Sequence, residues 1–282
     1  MKKLLNISIC VFISAVFLPI TACAPVIYED PEHVDFSAEE TATPEKSDTV
    51  MMEDVDLADM PYVQQGEIRI YYDPSVSSYL DDAGEYVPPS SGDEAYSSPH
   101  PGYADFNFSP MQAHVYVADI LAYEDVADFA AATVVDLYRV IEGLEIADPC
   151  VPELPLGTFY HECSHQEFVS NMKVVNFING GGVRYITVYA IQDFAPVDNR
   201  NLVYVFQGFT DDGKYYVKMI VEMMHAQLEG TGEIPTEIYA AEDAETVDAF
   251  FREYATMFEA SENEFTPKLK WIDSVLESLI IQ

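Results

Sequence analysis

The sequence predicts an α+β fold: a single domain with a largely antiparallel sheet of about six or seven strands and helices packed on one face. Three observations predict it. Residues 173–221 are dense in β-branched and aromatic side chains and are interrupted by turn residues. Upstream, at residues 123–143, the apolar period changes from two to the helical spacing. Residues 246–279 return to helical spacing after the last strand.

In chain order, Glu67 to Tyr72 reads as a first strand, followed by a Ser-, Pro-, Gly- and Asp-rich loop from Asp73 to Ser98. Tyr103 to Phe108 and Gln112 to Asp119 alternate as strands. Between Tyr123 and Gly143, the apolar residues Val126, Ala130, Val134, Leu137 and Ile141 recur at helical spacing, and Gly143 stands where a terminating glycine belongs. Two hairpins follow. Lys173 to Ile178 and Val183 to Ile191 flank Asn179-Gly180-Gly181-Gly182, where glycines are expected to supply positive φ. Leu202 to Phe209 and Tyr215 to Val221 flank Asp211-Asp212-Gly213. Alternation along the last strand sends Tyr215, Val217, Met219 and Val221 to one packed face, and Lys214, Lys218 and Glu222 to a wetter one. Pro196 and the run Asp198-Asn199-Arg200-Asn201 make the connection between the hairpins polar and non-strand.

After a linker from Glu229 to Glu242, Val247, Phe250, Phe251, Tyr254 and Phe258 line a helix over residues 246–258. A last helix is expected with Thr266 as N-cap, Pro267 at its first position, and Leu269, Ile272, Leu276 and Leu279 on one face. Trp271 and the nineteen tyrosines are read as core and strand aromatics rather than a sugar-binding surface.

The run NGGGVRYITVYAIQDFAPVDN followed by LVYVFQGFTDDGKYYV resembles a family of uncharacterised bacterial envelope lipoproteins, which carry similar NG-x-GVR-x-x-T-x-YA and FQGLTDDGKYYV segments. The segment Pro99 to Phe108, with HPGYADFNF in it, and the late Phe265-Thr266-Pro267 extend the likeness from about residue 96 to Gln282. The resemblance implies an envelope protein and brings with it no activity and no functional residues.

The N-terminal segment points to the same address. Residues 1–22 combine Met1-Lys2-Lys3, an apolar run and small residues at the cleavage position, as in a secretory signal. Asn6, Ser8, Ser14 and Pro19 interrupt that run, and a membrane span needs ~20 consecutive apolar residues. Ile20-Thr21-Ala22-Cys23 resembles the bacterial lipobox, whose cysteine thiol is diacylated and becomes the new N-terminus. The expectation is lipidation at Cys23, palmitate-type acyl chains holding the protein to the bilayer. Ala24 in place of an aspartate points to the outer membrane where the cell has two membranes.

Residues 23–60 form an acidic tether. From Glu29 to Asp59 there are twelve acidic side chains against the single Lys46, so self-repulsion keeps the segment extended. The globular domain is then residues 61–282. The whole chain carries 49 acidic and 13 basic side chains, a formal net charge of -36. Such a surface repels phosphate backbones, so nucleic-acid partners are excluded. Asp211-Asp212-Gly213 lacks the spacing and glutamate of a calcium loop.

Two chemical questions remain. Cys150 and Cys163 can close a disulfide in an exported protein, or stand as two buried thiols. Cys163 also lies within His161-Glu162-Cys163-Ser164-His165, an HExxH match. On a helix, His161 and His165 would share a face and ligate zinc, with Glu162 activating the metal-bound water as general base of a peptidase. Against this stand Pro155 and Gly157 just upstream, the nearby first core strand, and a third ligand that would have to come from His114, Glu222 or His225. The expectation is therefore an envelope lipoprotein with no catalytic residue and no cofactor, its domain binding an envelope protein or small ligand or serving a structural role. The alternative is the zinc metallopeptidase.

Overall fold

The computed structural model describes residues 57–73, 84–92, 99–108, 112–123, 130–143, 150–156, 164–191, 194–241 and 243–282. The signal segment, Cys23 and the tether as far as Asp56 lie outside the described residues.

Two short strands, β1 (Tyr62–Gln65) and β2 (Ile68–Tyr71), make a hairpin where the sequence predicts one strand, turning at Gly66 with φ +60°. Within the expected loop lies β3 (Gly84–Val87), which pairs with β4 (Tyr103–Phe108), and β4 pairs in turn with β5 (Ala113–Asp119). Helix α1 (Ala130–Ile141) follows. It ends as expected at Gly143, which adopts φ +77°. Next come β6 (Ser164–Gln166), β7 (Ser170–Phe177), β8 (Gly180–Ile191), β9 (Leu202–Thr210) and β10 (Tyr215–Glu222). The C-terminal third holds β11 (Met224–His225), α2 (Thr236–Tyr239), α3 (Ala244–Ala260), β12 (Phe265–Thr266), α4 (Leu269–Glu277) and β13 (Ile280–Ile281).

The main sheet runs β3-β4-β5-β10-β9-β8, with β6 and β7 both along the outer edge of β8. Every pairing is antiparallel. A three-stranded sheet, β1-β2-β13, and the β11-β12 pair complete the strands. This is a single-domain α+β fold with a largely antiparallel sheet.

All nine residues of β9 are buried, because both faces of the sheet are covered. On one face Tyr204, Phe206, Val217 and Met219 pack with Phe251 and Phe258 of α3 and with Leu269, Ile272 and Leu276 of α4. On the other, Val205, Tyr185, Tyr216 and Ile220 pack with Leu137 and Val140 of α1 and with Val151, Leu154 and Leu156. The helices thus take both faces, and not one. The alternation expected for β10 is present, but its wetter face is not: Lys218 is fully buried.

Two local expectations are also corrected. Gly180, Gly181 and Gly182 belong to β8, and the turn falls at Ile178-Asn179. Their role is close approach rather than positive φ. Gly182 faces Gly208 across the β8–β9 pair, and a Cβ on Gly208 would stand 2.2 Å from the Gly181 carbonyl oxygen and 2.6 Å from the Gly182 Cα. Thr266 does not cap α4. It is held extended by pairing with Met224, the Thr266-Pro267 bond is cis, and the helix starts at Leu269 after Lys268. Helix α3, by contrast, has a side-chain cap, with Asp243 accepting the Thr246 N–H at 2.8 Å.

Candidate functional site

Of the histidine motif, His161, Glu162 and Cys163 lie outside the described residues, and with them any bond from Cys163 to Cys150. Ser164 and His165 are described. Both sit in β6, opposite Ile191 and Ala190. Zinc binding by HExxH needs one helical turn between its histidines. Here the second histidine stands in an extended strand, β6. His165 Nε2 lies 3.7 Å from Glu167 Oε2, and that carboxylate raises its pKa against the opposing effect of burial. Cys150 Sγ is 3.7 Å from the Gln166 carbonyl oxygen.

Of the other residues considered as zinc ligands, His114 and Glu222 are neighbours on the β5–β10 pair and His225 lies apart on β11. His114 on β5 is bonded to Asp105 at 2.9 Å. Glu222 ends β10. His225 is buried against the Phe258 and Phe265 rings. Among the described residues no group of three or more His, Cys, Asp or Glu side chains is placed to hold a metal.

His225 does meet a serine, and the polarity of that contact decides what it can do. Its Nδ1 accepts the Gln227 backbone N–H at 3.4 Å, which leaves the ring proton on Nε2. That nitrogen faces Ser261 Oγ at 3.1 Å, while the Ser261 hydroxyl itself donates to the Met257 carbonyl. A general base needs a lone pair toward the serine and an acceptor behind the ring. This pair has the reverse arrangement, so it positions the end of α3 against β11 and does not activate a nucleophile.

The chemically dense region is elsewhere, inside the sheet. The segment Val151–Leu156 lies on the α1 face, held by its apolar residues Val151, Leu154 and Leu156. Gln166 of β6 fixes it further, accepting from Val151 N at 3.0 Å and donating to Val151 O at 2.9 Å. Glu153 therefore points at the central strands. Its Oε1 accepts from the Tyr185 and Tyr189 hydroxyls and from Gln166 Nε2 at 3.0 Å. Its Oε2 pairs with Lys218 Nζ at 3.2 Å. The Tyr185 hydroxyl accepts from Gln207 Nε2 at 3.0 Å, and Gln207 Oε1 accepts from the Tyr216 hydroxyl at 2.7 Å.

Lys218, Tyr185, Gln207 and Tyr216 are each fully buried, and the Glu153 side chain is 6% exposed. Burial first, and the adjacent Glu153 charge second, push the Tyr185 and Tyr189 hydroxyls well above the ordinary phenol range. They therefore stay protonated and serve Glu153 as donors.

A second buried cluster sits on the opposite face. The guanidinium of Arg184 on β8 meets Asp273 of α4, Nε to Oδ1 at 3.3 Å, and donates to the Asn171 carbonyl and to Glu262. Asp273 also accepts from the Tyr204 hydroxyl at 3.1 Å and from Lys173 Nζ at 3.2 Å. This cluster locks α4 and the end of α3 to the sheet.

The conspicuous residues of the GVRY and FQG…KYYV segments, Arg184, Tyr185, Gln207 and Tyr216, are thus the internal polar groups of the core. Lys218 had a sequence signal, a lone lysine within Tyr215-Tyr216-Val217-Lys218-Met219-Ile220-Val221. Glu153, between two prolines, had none. No family model, curated protein or solved structure matches the chain.

Proposed function

We propose that this protein is an exported lipoprotein, anchored in the bilayer of the cell envelope through acylated Cys23, with an α+β domain that binds an envelope protein or small ligand or serves as a structural part of the envelope. The observation that carries the reading is Ile20-Thr21-Ala22-Cys23 closing a short, interrupted apolar run. The acidic composition of residues 23–60 suits this role, since twelve acidic side chains over Glu29 to Asp59 repel one another and would favour reach from the membrane. The buried polar groups agree with a binding or structural role, because Lys218, Glu153, Arg184 and Asp273 are neutralised against one another inside the domain. In a cell with two membranes, Ala24 after the cysteine directs the protein to the outer one.

The test is the fate of Cys23→Ser. It should lose acylation, leave the membrane fraction and accumulate as uncleaved precursor. A Cys23→Ser protein that is still processed and still sediments with membranes at the wild-type level would refute the reading.

A further inference from the structure

We propose that Lys218 and Glu153 become joined by an intramolecular amide bond, formed by condensation of the two side chains with loss of one water. The proposal stands apart from the envelope reading, since address and cross-link are measured separately.

The geometry of the Glu153 carboxyl is asymmetric in the way that such a condensation requires. One oxygen, Oε1, is surrounded by three donors, the Tyr185 and Tyr189 hydroxyls and Gln166 Nε2. The other, Oε2, has Lys218 Nζ at 3.2 Å. Three donors on one oxygen are the arrangement that stabilises negative charge developing there during attack on the carbon. The amine is already in contact with the carboxyl, held by a central strand on one side and by a segment packed into the core on the other. The high hydroxyl pKa values keep both tyrosines as donors throughout.

The step balances within the pair. A proton passes from Lys218 Nζ to Glu153 Oε2, giving a neutral amine and a carboxylic acid. The nitrogen lone pair attacks Cδ, and the electrons of the C=O bond move onto Oε1, where the tyrosines and Gln166 receive the charge. The intermediate then collapses. Oε2 takes a second proton from the nitrogen and leaves as water, the C=O bond re-forms, and one hydrogen remains as the amide N–H. No oxidant, metal or activating group enters.

The driving force is the burial itself. Two ions held out of water carry a desolvation cost that a neutral amide abolishes, and the water formed is released. The product would tie the 150–156 segment, which reaches the sheet through side chains, covalently to β10 at its centre.

The experiment uses the full-length wild-type protein, purified from whichever fraction of the cell holds it, then reduced, denatured and digested with trypsin, with the peptides weighed. Trypsin cuts after an unmodified lysine and not after an acylated one. The expected result is no cut after Lys218, and one species joining the peptide 140–173 to the peptide 215–252, lighter by one water than their sum. Lys218→Met and Glu153→Leu should each abolish that species. Cleavage after Lys218 in the wild type, giving peptides 215–218 and 219–252 with the peptide 140–173 at its full mass, overturns the proposal. So does a Lys218 joined instead to the peptide 201–214, which carries Gln207, with loss of ammonia. Because the decisive reading is on the wild type, a variant that fails to fold does not weaken the test.

Discussion

The Arg184–Asp273 pair offers the clearest energetic test of how the two helices are held. Truncating Asp273→Ala removes the carboxylate 3.3 Å from Arg184 Nε and leaves a guanidinium that is 2% exposed facing the partly exposed Glu262 and the Asn171 carbonyl. The Tyr204 hydroxyl loses its acceptor at the same time. Breaking one side of a buried ion pair costs about 3–5 kcal/mol, because the remaining charge stays buried with only an exposed carboxylate and a carbonyl to answer it. Lys173 adds little, since its ammonium side chain is 53% exposed and solvent screens it. At roughly 2–4 °C per kcal/mol for a domain of this size, the melting temperature should fall by about 6–20 °C. The double variant Arg184→Met, Asp273→Ala should recover part of that loss, since the orphaned charge is gone. Thermal unfolding followed by circular dichroism measures all three. An Asp273→Ala protein that melts with the wild type would show that Arg184 is solvated or paired elsewhere, and the description of this face would be wrong.

Two glycines should fail for different reasons. Gly208→Ala must push β8 and β9 apart, because the added methyl meets backbone at 2.2 Å, and should cost ~2–3 kcal/mol in chemical denaturation. At Gly213 an added Cβ meets nothing within 4 Å, so the cost of Gly213→Val is that of holding a β-branched residue at φ +67°, ~1–2 kcal/mol; equal losses at the two sites would contradict the close approach at Gly208. The His114 pKa is raised by its hydrogen bond to Asp105, against the opposing effect of burial. A raised folded-state value means that the pair stabilises fully below ~6.5 and that its contribution is lost as pH rises through the folded value. A proton NMR titration should find His114 above ~6.5 in the wild type and lower in Asp105→Asn; coincident midpoints would remove the pair.

Period and turn chemistry made most of the elements legible. Strands β4, β5, β9 and β10 lie where alternation places them, because each carries apolar residues to a sheet face that must be covered. The Asp211-Asp212-Gly213 turn was readable for the same local reason, since Gly213 takes φ +67° and Asp212 accepts from Thr210 and Lys214. Glycines that serve cross-strand approach and glycines that serve a turn are identical as letters. Gly180 to Gly182 could therefore be assigned only once β9 lay beside them.

The polar interior was decided by tertiary structure alone. A lysine alternating outward from an apolar strand face reads as solvated, and Lys218 is buried only because α1 and the 150–156 segment cover that second face. Glu153 precedes Lys218 by a long stretch of chain and belongs to a coil, so no periodicity connects them. The expectation of helices on one face failed for the same cause: the apolar stripe of a helix says that it packs, while the order of the sheet, β5 beside β10 with α1 and β6 to β9 between them in the chain, determines on which side. What the sequence alone determined is local: the charge, the strands and the turns. What only the tertiary structure decided is which distant side chains meet, because a buried charge is tolerated where a partner arrives through space, and that partner is invisible to any pattern along the chain.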